Sequence, residues 1–156
     1  MKRLLATNPS NITALIARLA LGITLFPHGA QKLFGAFGGY GFSGTMGFLT
    51  TQAGLPYILA LLVILIESIG SLFVLFGFLT RIAAFGIFVQ FIGVVLKIHL
   101  ANGFFMNWTG TQKGEGIEYF ILLLSLALIL IIKGGGKASV DAAITANSNT
   151  KKSIRI

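Results

Sequence analysis

The sequence predicts an all-α bundle of four transmembrane helices with both termini in the cytoplasm, and three observations predict it. Apolar residues make up 55% of the 156-residue chain and charged residues 10%, against roughly 25% charged in a soluble domain. Long stretches carry no charge, and lysine and arginine gather at their edges, as in chains that lie in a bilayer. The apolar runs show no period of two, so they read as helices, which satisfy their backbone N–H and C=O groups internally.

The elements follow in order. Lys2 and Arg3 ahead of an apolar run resemble a secretory leader. The run continues to Phe34 without a small-x-small cleavage site, so it reads as a retained helix over 12–34. Further helices are expected over 57–79, 81–100 and 117–133, the last being the shortest. A span needs ~20 residues, with ~17 as a lower limit. Leu79-Thr80-Arg81 leaves room only for a tight antiparallel hairpin. Residues 35–56 carry no charge and are rich in Gly and Phe, and residues 101–116 contain Phe104, Phe105 and Trp108. Both loops suit the headgroup region, where aromatic rings anchor. One four-helix domain is expected over 1–141, with a polar, disordered tail over 142–156.

Charge orients the chain. Lys2, Arg3, Arg81, Lys133, Lys137, Lys151, Lys152 and Arg155 share one side when the N-terminus is cytoplasmic, and Lys113 alone lies clearly in an outer loop. The net charge of +8 is therefore the flanking bias of membrane helices, not a nucleic-acid surface. The absence of cysteine excludes an internal dithiol, an iron–sulfur cluster and a thiolate-bound metal. Gly39-Tyr40-Gly41-Phe42-Ser43-Gly44 matches a dinucleotide fingerprint by letter only, because that fingerprint joins a strand to a soluble helix.

Polar residues inside the spans carry the functional signal, since a charge at the bilayer centre costs ~2.5–3.5 kcal/mol on insertion scales. Glu67 lies mid-helix and is too short to reach the interface. It pairs with Arg18 or Gln90, or stays protonated because burial raises its pKa. Counting 1.5 Å per residue from the cytoplasmic ends puts Arg18 at ~9 Å, Gln90 at ~13 Å and Glu67 at ~18 Å. The same count puts His28 and Lys97 at ~24 Å, His99 at ~27 Å and Lys32 at ~30 Å, with Glu118 at the top of helix four. Ala83, Gly86, Gln90, Gly93 and Lys97 form a small-and-polar stripe expected to face the bundle. His28, Lys32, Lys97, His99, Asn102 and Glu118 are thus expected to line one outward-opening pocket under the aromatic loops. Plainer roles compete with that one: the lysines snorkel to headgroups, and His28 caps a carbonyl freed by Pro27. Two histidines at similar depth also fit haem ligation, but nothing else supports a haem.

Arg18-Leu19-Ala20-Leu21-Gly22, followed by Pro27-His28-Gly29-Ala30-Gln31-Lys32-Leu33-Phe34-Gly35, resembles the opening signature of the DoxX family of bacterial membrane proteins. The likeness continues through Glu67, Leu79-Thr80-Arg81, His99-Leu100-Ala101-Asn102-Gly103-Phe104-Phe105, Gly116-Ile117-Glu118-Tyr119 and residues 134–141 (GGGKASVD). The resemblance implies a four-helix protein of the bacterial cytoplasmic membrane, linked in some relatives to quinone-coupled sulfur oxidation, membrane oxidoreductase assemblies or the handling of quinone-like aromatics. It places weight on His28, Gln31, Lys32, Glu67, Arg81, His99, Asn102 and Glu118.

Together these readings favour a redox-associated membrane subunit that binds a quinone or similar lipophilic ring in the outer half of the bundle. The candidate ligand residues are His28, Gln31, Lys32, Glu67, Lys97, His99, Asn102 and Glu118. Arg18, Gln90 and Arg81 are expected to be structural polar residues, and no metal site is expected. A quinone carbonyl gains electron density on reduction and needs donors and protons, which His, Lys, Asn and a buried Glu supply. A non-catalytic anchor for a membrane or peripheral redox partner is the second reading, and a small-molecule or proton-coupled carrier is the third. Against a carrier, the two halves show no inverted repeat. The charge bias makes a direct prediction in this cysteine-free chain. An impermeant thiol reagent should label Ser43→Cys in intact cells and Arg81→Cys only after lysis, and the reverse pattern overturns the orientation.

Overall fold

The computed structural model describes residues 5–153, and every regular element among them is helical. Helix α1 (Ile12–Phe34) starts at Asn11, whose side chain accepts the Ala14 amide at 3.0 Å, and ends at Gly35 in the left-handed region (φ 72°). Helix α2 (Gly41–Gly47) lies inside the first long loop, runs into a wide turn at Phe48–Gln52, and buries Met46 against Ala60 and Ile64. Helix α3 spans Tyr57–Phe76, α4 spans Thr80–Asn102, α5 spans Glu118–Lys133 and α6 spans Val140–Ser153. The polar tail expected from residue 142 onward falls on α6 as far as Ser153, and 154–156 lie outside the described residues.

The span count differs from expectation. Among the described residues, three helices are long and apolar enough to cross a membrane: α1, α3 and α4. The expected fourth span is a helix of only 16 residues. At 1.5 Å per residue it is ~24 Å long, short of a ~30 Å hydrocarbon core. The sequence run over 117–133 overstated the helix, because Ile117 stands outside it as its N-cap. The protein is therefore a three-span helical bundle, and placing both termini in the cytoplasm by counting four crossings no longer follows. Helix α5 still belongs to the bundle. Phe120, Leu123, Ala127 and Leu130 recur every three or four residues and bury one face among residues of α1 and α4.

Two glycines set how α1 meets α3. A methyl group at Gly22 would lie 2.9 Å from Leu75, and one at Gly29 would fall on the Glu67 carbonyl and Ser68. Small residues let helices touch backbone to backbone where lipid supplies no hydrophobic driving force. The contacts also stagger the pair. Gly22 stands ten residues into α1, whereas Leu75 is one residue from the end of α3, so α1 projects beyond the hairpin by several ångströms.

That projecting end carries a polar clasp. Arg18, 2% exposed, donates from Nη1 to the Leu75 carbonyl (2.7 Å) and from Nη2 to those of Lys137 (3.1 Å) and Ala138 (3.0 Å). Asp141, 1% exposed, accepts from the Leu79 and Thr80 amides at 2.8 and 2.9 Å and from the Thr80 hydroxyl at 2.7 Å. It thereby caps the N-terminus of α4, where a carboxylate meets unpaired N–H groups and the positive end of the helix dipole. The cap also holds Leu79 in the left-handed region (φ 46°). Arg81 donates to the Ile131 and Ile132 carbonyls at the end of α5 and to Ala6. The Thr7 hydroxyl accepts the Gly136 amide at 2.6 Å.

The glycine contacts yield a paired test. Gly29→Ala is expected to lower stability by ~1–3 kcal/mol through overpacking, whereas Gly70→Ala, whose methyl meets only Ile66 at 3.8 Å, should be neutral or slightly stabilising. Thermal unfolding in detergent reads both, and equal effects would show that Gly29 is not a close contact.

Candidate functional site

The site begins with a local irregularity. Helix α3 widens into a π-helical turn at Ile66–Gly70, which carries Glu67. Such turns break the regular i→i−4 ladder and are frequent at functional sites. Buried hydroxyls support this one: Ser68 donates to the Ile64 carbonyl at 2.6 Å and Ser71 to the Ser68 carbonyl at 2.9 Å.

Three helices meet at the Glu67 carboxylate, which is 5% exposed. Lys32 of α1 reaches Oε2 at 2.6 Å, and Gln90 of α4 donates from Nε2 to Oε1 at 2.7 Å. Tyr119 of α5 is partly buried against the apolar core, and that burial, with the negative charge of Glu67 as a smaller cause, raises the pKa of its phenol. Lys32 is the more open partner, with 27% of its side chain exposed against 6% for Glu67. A buried carboxylate is tolerable when a cation and a second donor both satisfy it. The amide orientation of Gln90 follows from the same charge, because an ionised carboxylate accepts hydrogen bonds and offers none. Its Oε1 is buried and has no hydrogen-bond partner. An apolar groove runs between α1 and α5, lined by Leu21, Thr24, Tyr119, Leu122, Leu123 and Leu126. Thr24 and Leu122 are exposed at its edge.

The other candidates occupy separate places. His99 Nδ1 lies 2.8 Å from the Glu115 carbonyl and its ring packs, tilted by 38°, against Phe120 with centroids 4.3 Å apart, while Asn102 donates to the same carbonyl at 3.1 Å. Glu118 accepts from the Trp108 indole at 3.4 Å. Gln31 donates to the Phe37 carbonyl at 3.2 Å, holding the loop that follows α1. His28 and Lys97 are exposed. Of the residues expected to be structural, Gln90 joins the carboxylate while Arg18 and Arg81 belong to the clasp. Glu67 thus pairs with Gln90, as one expectation had it, but with Lys32 in place of Arg18. Depths counted from a common plane put Lys32 ~12 Å above Glu67, and the stagger of α1 removes most of that gap. The small-and-polar stripe of α4 runs along the edge of its buried face. Ala83, Ala84, Ile87 and Phe91 are the buried residues there, and Gly93 and Lys97 are exposed. Tyr119 was not among the sequence candidates. Among the described residues, no group of three or more His, Asp or Glu is placed to hold a metal ion.

A three-span bundle in which a buried carboxylate meets a lysine and a glutamine of two other helices defines a polytopic membrane protein with a polar cluster between its spans. Residues 13–100 match the DoxX family, and the chain belongs to it. It is similar to "Putative oxidoreductase CatD" of Bacillus subtilis (strain 168), 32% identical over 119 residues, covering 76% of this chain and 78% of the relative. It is also similar to "Inner membrane protein YphA" of Escherichia coli (strain K12), 28% identical over 134 residues, covering 83% of this chain and 89% of that one. No solved structure matches. Family and spans together place the protein in the bacterial inner membrane as a multi-pass protein.

The ion pair predicts non-additive energetics. Lys32→Met strands a buried carboxylate and should cost ~3–5 kcal/mol, while Lys32→Met combined with Glu67→Leu should cost clearly less than the two single changes summed. Additive losses in thermal unfolding would mean that the two charges do not depend on each other.

Proposed function

We propose that this chain is the membrane subunit of a redox system and binds a quinone-like lipophilic ring beside Glu67, with the ring's apolar tail in the groove between α1 and α5. The observation that carries this reading is a buried carboxylate fixed between a cation and an amide, in a bundle that also carries an apolar groove between α1 and α5. Reduction of a quinone puts electron density on its oxygens, which then call for donors and protons. Lys32 supplies a charged donor, Tyr119 a phenol in the lining of the groove, and Glu67 a carboxylate able to hold or release a proton. A concave, mainly apolar surface with a few converging polar groups is the usual form of a small-molecule site. The oxidoreductase in the name of the Bacillus subtilis relative supports a redox setting.

In this reading His99, Asn102 and Glu118 shape the loop above the bundle, and Gln31 fixes the turn after α1. A second reading, an anchor for a peripheral redox protein, is favoured by the same loop, where Phe104, Phe105 and Trp108 are 52%, 67% and 83% exposed.

Quinone extraction from protein purified with its native lipids separates the two. The wild type should retain quinone well above the level of bulk lipid. Glu67→Gln should lower retention at least about tenfold, the loss expected when one charged hydrogen-bonding group at a buried site is removed, and His99→Phe should leave it unchanged. A wild type that carries only lipid-level quinone, yet co-purifies with a protein partner, sinks the ring-binding reading in favour of the anchor.

A further inference from the structure

We infer that the Lys32–Glu67 pair exchanges protons with one side of the membrane only, the side that carries the long loops 35–56 and 103–117, and is sealed from the side that carries the clasp. The register of the helices sets the distances. Gly29 meets Glu67 backbone to backbone, and Lys32 lies in the last turn of α1, which ends at Phe34. Its backbone is only ~3 Å of rise from the helix end. A lysine so placed has its charge within reach of the headgroup layer. In the other direction Arg18 lies ~16 Å from Gly29 along α1.

The stretch between Glu67 and the clasp is dry. Leu21 and Leu25 of α1, Val74 of α3, Ile87 of α4 and Leu123 of α5 belong to one apolar core, and each is at most 3% exposed. Two buried hydroxyls follow Glu67 toward the clasp, and neither leads onward. Ser71 donates back to the Ser68 carbonyl and Ser68 to that of Ile64, so both protons are tied to α3 itself. Among the described residues, no chain of hydrogen bonds joins Glu67 to Arg18 or Asp141. The groups that act on the carboxylate are Lys32 from α1, Gln90 from α4 and, through charge alone, Tyr119 from α5. Lys32 is the cation bonded to it, and 27% of that side chain is exposed against 6% for Glu67. Exchange is then a two-step relay. Lys32 passes a proton to Glu67, leaving a neutral amine beside a neutral acid, and the amine takes a proton from water on the loop side. The inference holds whether or not a ring binds at the cluster.

The absence of cysteine allows a direct test with the full chain in sealed vesicles of either orientation. The probe is trimethylammonium-ethyl methanethiosulfonate, a fixed cation that reaches thiols through water. Lys32→Cys should react at least about tenfold faster when the reagent meets the loop side, since a charge crosses hydrocarbon only at high cost. Ser71→Cys, a near-isosteric change below Glu67, should stay unlabelled from the clasp side. Should Lys32→Cys fail to fold because it strands the carboxylate, Lys32→Cys combined with Glu67→Gln leaves no charge unpaired and is read in the same way. Labelling of position 32 at equal rates from both sides, faster from the clasp side, or from neither side overturns the inference. Labelling of Ser71→Cys from the clasp side overturns it as well, by showing that water crosses the apolar layer. None of these outcomes bears on quinone retention, so the ring-binding reading stands or falls separately.

Discussion

Backbone contact between Gly29 and the Glu67 carbonyl is the constraint from which the rest of the bundle follows. Helices in lipid gain little from burying apolar surface against each other, so close approach and polar bonds must hold them. With Gly22 against Leu75 and Gly29 against Glu67 and Ser68, α1 and α3 can lie together in one register only. That register brings Lys32, about one turn beyond Gly29, to the carboxylate. It also pushes Arg18 down to the end of α3, where the Leu75 carbonyl and the segment after α5 receive it. Any side chain at position 29 would move both charges away from their partners at once.

The intramembrane charges thus divide between two centres of different character. At the clasp, Arg18 and Asp141 each make three bonds, mostly to backbone, and both are almost fully buried. Only Arg18 Nε there lacks a partner, on a guanidinium already held at both ends. These bonds finish helix ends and hold a strained hairpin, which is structural work. At the Glu67 centre the bonds run between side chains of three helices, on a widened turn. Partial exposure of Lys32 leaves this centre open to exchange where the clasp is closed.

Much of this was legible in the chain, and the errors have physical causes. Glu67 and Gln90 were readable because a mid-helix carboxylate too short to snorkel needs a partner at its own depth. Lys32 was not recognised as the second partner because depths were counted from a common plane, and nothing local in the sequence sets the stagger of two helices. The signal was present in Gly22 and Gly29, seven residues apart on one face of α1. The two histidines were expected to converge on similar grounds, yet the structure leaves His28 exposed and packs His99 against Phe120. Composition could not separate a 16-residue packed helix from a span, since a run of apolar residues looks the same in either. Glycine-rich 41–47 read as loop, yet it forms a helix with Met46 packed beneath it, a tertiary override of weak propensity.

The clasp also has a bearing on biosynthesis. Two of the three carbonyls that receive Arg18 belong to Lys137 and Ala138, about 120 positions later in the chain. When α1 enters the translocon those acceptors have not been made, and the Leu75 carbonyl is itself still some 57 positions away. The nascent first helix must therefore hold an unneutralised guanidinium near the membrane surface until the C-terminal segment leaves the ribosome. Completion of the bundle is then a late event, and a message truncated before codon 137 would release a chain that has inserted its spans but never closed.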